Sequence, residues 1–327
     1  MATLKKDIVT IDLGGTHARF AIATLVDGQV QAVSDPVTLK TADHATFHAA
    51  WDQYAALQGG GLPRAAAIAV ACPVNGNVIR MTNNPWVIRA DRLSTELGLD
   101  DLVMVNDFGA VGRAIGQMTP EALIPVSGPA SSLPNDGVIS VIGPGTGLGV
   151  ALVLRRDGRS HVIETEGGHS DFAPLDTVED AILARLRPQL RRVSVERIAS
   201  GPGLLNIYQV LAAIEGKPAS LHDDKALWTA GLEGRDPLAV AALDRFMMIL
   251  GSVAGDIALT QGAKAVVIAG GIGARLAEKL PTSGFVDRFH AKGRFENLMR
   301  AMPVKLMTDP HAGLIGAAAA FLEKHPS

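Results

Sequence analysis

Two glycine-rich turns, each placed between two apolar runs, limit the folds that this chain can adopt. The first turn covers residues 11–16 and the second covers residues 143–149. An apolar strand, a tight glycine turn and a second apolar strand predict a β-hairpin. Because glycine has no Cβ, the backbone N–H groups of such a turn can approach a phosphate group closely. The sequence therefore predicts two hairpins whose turns, with their threonine hydroxyls, face one phosphate chain.

The rest of the chain alternates between apolar runs and helical patterns. We expect strands at 8–11, 19–25, 66–72, 102–105, 138–142, 150–154 and 265–269. We expect helices at 44–57, 90–97, 110–117, 177–190, 203–213, 237–261, 273–279 and 312–324. Strands that alternate with helices predict an α/β fold, and the internal hairpins make its sheets mixed rather than purely parallel. The order of hairpin, helices and later strands occurs twice, which predicts two related domains.

The composition excludes several classes of protein. Hydrophobic residues make up 47% of the 327 residues and charged residues 19%, which predicts a large buried core. The net charge is −3 with scattered basic residues, so we expect no nucleic-acid partner. The single cysteine, Cys72, excludes an internal disulfide and a multi-cysteine zinc site. Asp7 and Asp12 interrupt the first apolar run, and no uninterrupted apolar run reaches the roughly 18 residues of a membrane span, so we expect a cytoplasmic protein without a membrane partner.

Common nucleotide-binding motifs do not fit the glycine turns. Leu148 occupies the place where a dinucleotide fingerprint needs its last glycine, and an apolar strand follows instead of a helix. No glycine cluster is followed by the Gly-Lys-Ser/Thr of a Walker loop. Asp12, just before Gly14, is a candidate to hold Mg²⁺ through water, because magnesium prefers carboxylates together with phosphate oxygens. The alternative is an ordinary hairpin turn that contains an aspartate.

An Asn-Asp pair, Asn106 and Asp107, follows an apolar strand and precedes a helical pattern. Strand ends that face a cleft are where α/β folds collect catalytic groups. An aspartate there can serve as a general base if it reaches a substrate hydroxyl. Helix capping is the alternative, because Asn and Asp are favoured at the N-cap.

A second polar group combines two carboxylates and an imidazole. Glu166 and His169 flank two glycines, and Glu196 follows in the next segment. Carboxylate and imidazole groups can accept and donate hydrogen bonds to adjacent hydroxyls, which favours a polyhydroxylated ligand. A solvated turn, a zinc site and a capping-box glutamate at Glu196 are the alternatives, although one histidine without cysteines makes a poor zinc site.

Taken in order, the motifs resemble the bacterial glucokinases of the hexokinase/actin-like ATPase superfamily. They lie at 12–19, 71–74, 81–86, 106–108, 143–149, 166–169, 171–174, 196–197, 200–203, 269–271 and 292–295. The resemblance covers nearly the whole chain. The zinc-bearing repressor/kinase group carries a cysteine-rich motif after its Gly-His pair, whereas Ser170 and Asp171 follow His169 here. The chain therefore resembles the group without zinc.

The resemblance implies ATP-dependent phosphorylation of glucose to glucose 6-phosphate, with ATP and Mg²⁺ as cofactors. It implies that Asp107 is the catalytic base and that the sugar is bound by Asn106, Asp107, Glu166, His169 and Glu196. The implied ATP-binding residues are Ile11, Asp12, Leu13, Gly14, Gly15, Thr16, Gly145, Thr146, Gly147, Gly270 and Gly271. The implied fold is a two-domain actin-like (ribonuclease H-like) ATPase with mixed sheets and an interdomain cleft. Its small domain would hold 1–117 plus 312–327 and its large domain 118–311, and we expect a homodimer.

Other members of this superfamily are the alternatives. A sugar-responsive transcription regulator needs an N-terminal helix-turn-helix, and only eleven residues precede Asp12. An actin-like assembly or chaperone ATPase would carry large insertions or a peptide-binding domain, for which this length leaves no room. A kinase for another hexose, such as fructose or mannose, stays open.

Overall fold

The computed structural model describes residues 5–74, 76–81 and 84–325, so Thr82 and Asn83 of the motif at 81–86 lie outside the described residues. The strands of the described chain are β1 Lys5–Leu13, β2 His17–Val26, β3 Gln29–Val33, β4 Val37–Lys40, β5 Ala65–Val70, β6 Val78–Arg80, β7 Val87–Arg89, β8 Asp101–Asn106, β9 Leu123–Ser127, β10 Gly137–Pro144, β11 Leu148–Arg156, β12 Arg159–Thr165, β13 Ala263–Ile268 and β14 Val304–Met307. Its α-helices are α1 Phe47–Leu57, α2 Ala90–Glu96, α3 Asp107–Ala114, α4 Thr177–Leu190, α5 Gly201–Ile214, α6 Asp224–Leu232, α7 Pro237–Gln261, α8 Gly270–Arg275, α9 Gly284–His290, α10 Glu296–Arg300 and α11 Ala312–Lys324.

The chain separates into two compact units. The first unit runs up to Thr119 and resumes at Asp309, and the second unit is Pro120–Thr308. The sequence placed the domain boundaries after residues 117 and 311, within three residues of these positions. Each unit contains one large mixed sheet, and the two sheets share a strand pattern.

In the first unit, the sheet order is β3-β2-β1-β5-β8, with β4 also pairing with β2. Strands β1 and β2 form the expected antiparallel hairpin, and β1, β5 and β8 are parallel. In the second unit the order is β12-β11-β10-β13-β14-β9, with β10 and β11 as the hairpin and β10, β13 and β14 parallel. In each unit, therefore, three strands form an antiparallel meander, and two more strands lie next to its first strand and run parallel to it.

The cores of the two units differ in their residues. Helix α11 lies against the first sheet and contributes Ala317, Ala320 and Phe321 to a core of mostly small side chains, while a second core of the same unit buries Phe20 and Tyr54. In the second unit, helix α7 is central and buries the larger side chains Phe246 and Leu250. Helix α7 is also long and apolar enough to cross a membrane by length and composition, but 67% of its most apolar window is buried inside the protein, as in a core helix.

Several predicted boundaries were wrong, and at α3 the reason is a helix cap that the apolar pattern does not show. The helix expected at 110–117 begins at Asp107, where Asn106 caps it, and the helix expected at 273–279 begins at Gly270. The strand expected at 66–72 ends at Val70. The sequence missed the strands β3, β4, β6, β7, β9, β12 and β14 and the helices α6, α9 and α10. Edge strand β12 illustrates the reason: its side chains are largely exposed, so no apolar run marks it.

Candidate active site

The first glycine turn joins β1 to β2 and is held by Thr41. Gly14 donates its N–H to the carbonyl of His17 at 2.9 Å, which closes the turn. The buried Thr41 hydroxyl donates to the carbonyl of Gly15 at 2.8 Å, and the Thr41 N–H donates to the carbonyl of Thr16 at 3.0 Å. With these carbonyls bonded, the turn has a fixed backbone.

Asp12 carries its carboxylate beside this turn, at the start of helix α11. The Arg19 guanidinium lies 3.4 Å from its Oδ2, and the Asp12 side chain is 25% exposed. Burial raises the pKa of the Asp12 carboxyl, and the positive charge of Arg19 opposes that rise. A Cβ on Gly313, in the first turn of α11, would lie 2.8 Å from the Asp12 carboxyl carbon, so only glycine leaves room for the carboxylate.

Asn106 and Asp107 stand where β8 passes into α3. The Asn106 Oδ1 accepts the N–H groups of Phe108 at 2.9 Å and Gly109 at 3.1 Å, so Asn106 is a helix cap. Its Nδ2 donates to the carbonyl of Cys72 at 3.2 Å. Asp107 is the first residue of the helix, and its Oδ1 accepts the Phe108 N–H at 2.8 Å. The Asp107 carboxylate therefore lies at the positive end of the helix, in a fixed orientation.

The parallel strands of the first sheet bring these acidic groups to one edge. Leu13 pairs with Val70, and Val70 pairs with Asn106, so Asp12, near the carboxyl end of β1, and Asp107, just after β8, lie at one edge with β5 between them. Burial, followed by the negative charge of Asp107, raises the pKa of the Cys72 thiol just beyond β5. This edge of the sheet is where an α/β fold binds its ligands.

Helix α3 is held by close packing against α11. A Cβ on Gly316 would lie 1.8 Å from the carbonyl oxygen of Ala110, so the two helices approach at backbone distance. The Arg113 guanidinium bridges the same pair of helices, donating to Glu323 Oε2 at 2.8 Å. Both contacts fix the helix that begins at Asp107.

The second glycine turn is built differently from the first. Gly145 donates its N–H to the carbonyl of Gly147 at 2.8 Å, and Gly201 donates its N–H to the carbonyl of Gly145 at 2.7 Å. A Cβ on Gly147 would lie 2.4 Å from Glu196 Oε2, whereas a Cβ on Gly145 would have no neighbour within 4 Å. The turn is therefore packed against Glu196 at Gly147 and open at Gly145, with Thr146 between them.

Glu166, His169 and Glu196 converge in the second unit. His169 Nε2 lies 3.9 Å from Glu166 Oε2 and 3.9 Å from Glu196 Oε1. The exposed fractions of these side chains are 70% for Glu166, 56% for His169 and 25% for Glu196. The structure thus brings together the two carboxylates and the imidazole that the sequence selected. Their spacing leaves room for hydroxyl groups to accept and donate hydrogen bonds among them.

Short turns carry this group. Glu166 precedes the 3₁₀ turn Gly167–His169, and Glu196 lies within the 3₁₀ turn Val195–Arg197. The two turns are joined by the Val195 N–H, which donates to the carbonyl of Ser170 at 2.9 Å. The Arg192 guanidinium adds a bond to the carbonyl of His169.

Gly270 and Gly271 begin helix α8 at the end of β13. Ile142 of β10 pairs with Ile268 of β13, so the second glycine turn and these glycines lie at the same edge of the second sheet. Gly270 has φ +81° and would place a Cβ 3.1 Å from the carbonyl oxygen of Pro144. A Cβ on Gly271 would have no neighbour within 4 Å. Gly271 therefore leaves open space beside the backbone at this helix start.

Sequence reasoning missed the residues that support the site. They are Thr41, the Leu148 N–H, Gly313 and Gly316. The spacing of Gly313 and Gly316 within an alanine-rich helix was a usable signal, because small residues three apart on a helix leave room for neighbouring groups, here the Asp12 carboxyl group and the Ala110 backbone. Among the described residues, no group of three or more His, Cys, Asp or Glu side chains is arranged to hold a metal ion.

Comparisons with known proteins agree over the whole chain. The glucokinase family model matches residues 9–324. A glucokinase of Zymomonas mobilis is 58% identical over 319 residues, which are 98% of each chain, and one of Paramagnetospirillum magneticum is 41% identical over 316 residues, 95% of this chain and 96% of that one. The crystal structure of a glucokinase from an Antarctic psychrotroph has a TM-score of 0.84 at 31% identity, covering 97% of this chain and 99% of that one.

The fold is shared with more distant sugar kinases. The structure of a ROK family glucokinase from Streptomyces griseus, in complex with glucose and AMPPNP, has a TM-score of 0.64 at 20% identity and covers 95% of this chain and 98% of that one. The fold is therefore that of the actin-like ATPase class, α/β with mixed sheets, as the sequence predicted. Within that class, the chain belongs to the glucokinase family.

Proposed function

We propose that this chain transfers the γ-phosphoryl group of ATP to the 6-hydroxyl of D-glucose, giving glucose 6-phosphate and ADP as the first step of glucose catabolism. The observation that carries the proposal is the match to the glucokinase family over residues 9–324, with 58% identity to a curated glucokinase. The convergence of Glu166, His169 and Glu196 around space for hydroxyl groups supports a sugar as the acceptor.

Asp107 is proposed as the general base. Its carboxylate takes the proton of the sugar 6-hydroxyl while O6 bonds to the γ-phosphorus, and the bond from that phosphorus to the bridging oxygen of ADP breaks. Phosphoryl transfer depends mostly on alignment and charge stabilisation, so one well-placed base is enough protein chemistry for this step. The support is the fixed position of Asp107 at the start of α3, beside its cap Asn106.

The sugar hydroxyls are proposed to be bound by Glu166, His169 and Glu196, with Asn106 at the 6-hydroxyl end. Asn106 Oδ1 already accepts two backbone N–H groups and its Nδ2 donates to the Cys72 carbonyl, so one amide N–H is left to donate to a ligand. We therefore propose that Asn106 acts mainly by holding α3 and Asp107 in place. The carboxylates and the imidazole provide the hydrogen bonds that orient the ring.

The glycine turns are proposed to hold the phosphates of ATP, with Gly270 and Gly271 near the adenosine. The open space at Gly145 and Gly271 fits a ligand that approaches the backbone. Asp12 fits a water-mediated Mg²⁺ site, since its carboxylate is partly exposed beside the first turn. Bound with ATP, magnesium would neutralise phosphate charge. Activity should be lost in EDTA and restored by Mg²⁺, and metal analysis of the purified protein should find no stoichiometric zinc.

Residues of both units are proposed to take part in the reaction. Asp107, the proposed base, belongs to the first unit, whereas Glu166, His169 and Glu196 belong to the second. We also propose a cytoplasmic homodimer without a nucleic-acid or membrane partner.

A coupled assay of ATP consumption tests the proposal. Glucose, fructose, mannose and 6-deoxyglucose are compared at equal concentration with the purified protein. We expect glucose to give the highest kcat/KM and 6-deoxyglucose, which lacks the acceptor hydroxyl, to give no turnover. Higher kcat/KM for fructose or mannose would assign the chain to another hexose, and turnover with 6-deoxyglucose would refute transfer to O6.

A further inference from the structure

One carboxylate, that of Glu196, touches two parts of the candidate site. Its Oε2 accepts the Leu148 N–H of the second glycine turn at 3.0 Å. Its other oxygen, Oε1, lies 3.9 Å from His169 Nε2, among the proposed sugar-binding groups. The Glu196 side chain is 25% exposed, so it is positioned by the protein and still open to a ligand. The same side chain therefore joins the proposed phosphate site to the proposed sugar site.

The glycine turn is shaped around this carboxylate. A Cβ on Gly147 would lie 2.4 Å from Glu196 Oε2 and 3.1 Å from its carboxyl carbon. Any side chain at position 147 would displace Glu196 or the turn. Gly145, two residues earlier in the turn, has no positive φ and no neighbour within 4 Å of its Cβ position, so its replacement disturbs neither. The contrast shows that the contact is specific to Gly147.

We propose that Glu196 is a positioning residue that couples sugar binding to nucleotide binding within the second unit. The inference rests on the proposed function, because it takes glucose and ATP as the two ligands. A sugar hydroxyl that donates to Oε1 restricts the carboxylate, and the carboxylate in turn restricts the backbone at Leu148. The turn is then already ordered when the nucleotide binds, so nucleotide binding loses less conformational entropy. The two ligands therefore bind with positive cooperativity.

This coupling lies within one unit. The Glu196 contacts to Leu148 and His169 all lie within the second unit, and none of them depends on the first unit. A Gly147→Ala variant keeps every proposed sugar-binding side chain and disturbs the contact between the Glu196 carboxylate and the turn. Loss of cooperativity in that variant identifies this contact as its source.

Isothermal titration calorimetry of the full chain measures the coupling. The Kd of AMPPNP, with Mg²⁺ present, is determined without glucose and with saturating glucose, and the coupling is the ratio of the two values. We expect a wild-type ratio of about fivefold or more, the lower end of usual allosteric couplings. In Gly147→Ala the ratio should fall to within about twofold of one. The matched variant Gly145→Ala should keep the wild-type ratio, whatever its effect on nucleotide affinity itself.

Two further variants keep the test decisive if Gly147→Ala does not fold. Glu196→Gln keeps an oxygen that can accept the Leu148 N–H and should retain part of the ratio, whereas Glu196→Ala should lose it. Glu166→Gln weakens glucose binding without touching the turn, so its ratio at saturating glucose should match the wild type.

Three results would overturn the proposal. The first is a ratio near one in the wild-type protein, and the second is an unchanged ratio in both Gly147→Ala and Glu196→Ala. The third is a fall of the ratio in Gly145→Ala as large as that in Gly147→Ala. Failure of the proposed function is detected separately, because the coupled assay would then show no turnover of glucose or a higher kcat/KM for another hexose.

Discussion

The two units hold their acidic side chains in opposite ways. In the first unit, Asp107 is the first residue of a capped helix, and that helix meets α11 so closely that Gly316 has no room for a Cβ. In the second unit, Glu166 and His169 lie at short 3₁₀ turns, with side chains 70% and 56% exposed. The first unit thus fixes its carboxylate by helix packing, whereas the second presents its groups on turns near solvent.

The difference matches what each group is proposed to do. A general base needs a fixed position, because a proton transfer depends on distance and direction. Groups that bind several hydroxyls of a ring can adjust as the ligand enters, provided that their backbone is held. The hydrogen bonds from Arg192 and Val195 hold that backbone. Changes in the first unit should therefore affect kcat, and changes in the exposed group of the second should affect KM.

The largest effect is expected for the base itself. Asp107→Asn should lower kcat by about 10²–10⁴-fold, the usual range for loss of a general base, while glucose binding stays measurable by calorimetry. The asparagine can still accept the Phe108 N–H, so the helix start is preserved.

The matched control is Asp91→Asn, the same substitution at an exposed residue in the first turn of α2, which should leave kcat unchanged and stability within about 0.5 kcal/mol. Near-normal turnover in Asp107→Asn would show that Asp107 only supports the start of the helix.

Next in size is a change in the helix contact that positions α3. Gly316→Ala would place a Cβ 1.8 Å from the carbonyl oxygen of Ala110. Because neither backbone can move without repacking, we expect the free energy of unfolding to fall by about 2–3 kcal/mol, measured in urea, with a lower kcat.

Gly116→Ala serves as the control, since its Cβ would lie 3.5 Å from the nearest atom, an ordinary contact. Its stability should change by less than about 1 kcal/mol. If the two variants had equal effects on the free energy of unfolding and on kcat, the close approach of the two helices would not contribute to either.

A smaller effect is expected in the exposed group. Glu166→Gln should raise the KM for glucose by about tenfold, with a much smaller change in kcat, because hydrogen bonds to a charged acceptor contribute about 1.5–3 kcal/mol. Glu164→Gln, two residues away on β12, should leave both constants unchanged. A drop in kcat without a change in KM would contradict the proposed division of roles between the units.

The smallest effect concerns an ion cluster within the second unit. Burial raises the pKa of Asp176, but the Glu179 N–H and the guanidinium groups of Arg245 and Arg288 outweigh it, so the pKa lies below the ordinary 3.8. The stabilisation is therefore present above about pH 4 and is lost as the pH falls through the lowered pKa. Asp176→Asn keeps the helix cap and should cost about 1 kcal/mol at pH 7, measured by urea unfolding. A cost that persists unchanged at pH 2.5 would refute this origin.

The sequence predicted the hairpins and most strands of the parallel cores, because glycine turns and long apolar runs are local signals. The grouping of Glu166, His169 and Glu196 followed from the resemblance to a known family. The sequence could not predict that Gly147 faces Glu196 or that Gly316 faces Ala110, since those contacts join residues 49 and 206 positions apart. It also placed the start of α3 three residues late, because the cap at Asn106 depends on hydrogen bonds rather than on apolar spacing. Such contacts arise only once the chain has folded.

The central claim is that this chain phosphorylates glucose with Asp107 as the base. The most direct test follows the products by ³¹P NMR when the wild-type protein or Asp107→Asn is mixed with glucose, ATP and Mg²⁺. We expect the wild-type protein to form glucose 6-phosphate and ADP in equal amounts, and Asp107→Asn to form them about 10²–10⁴-fold more slowly. Equal rates from the two proteins, or ADP and inorganic phosphate without glucose 6-phosphate from the wild type, would contradict this account.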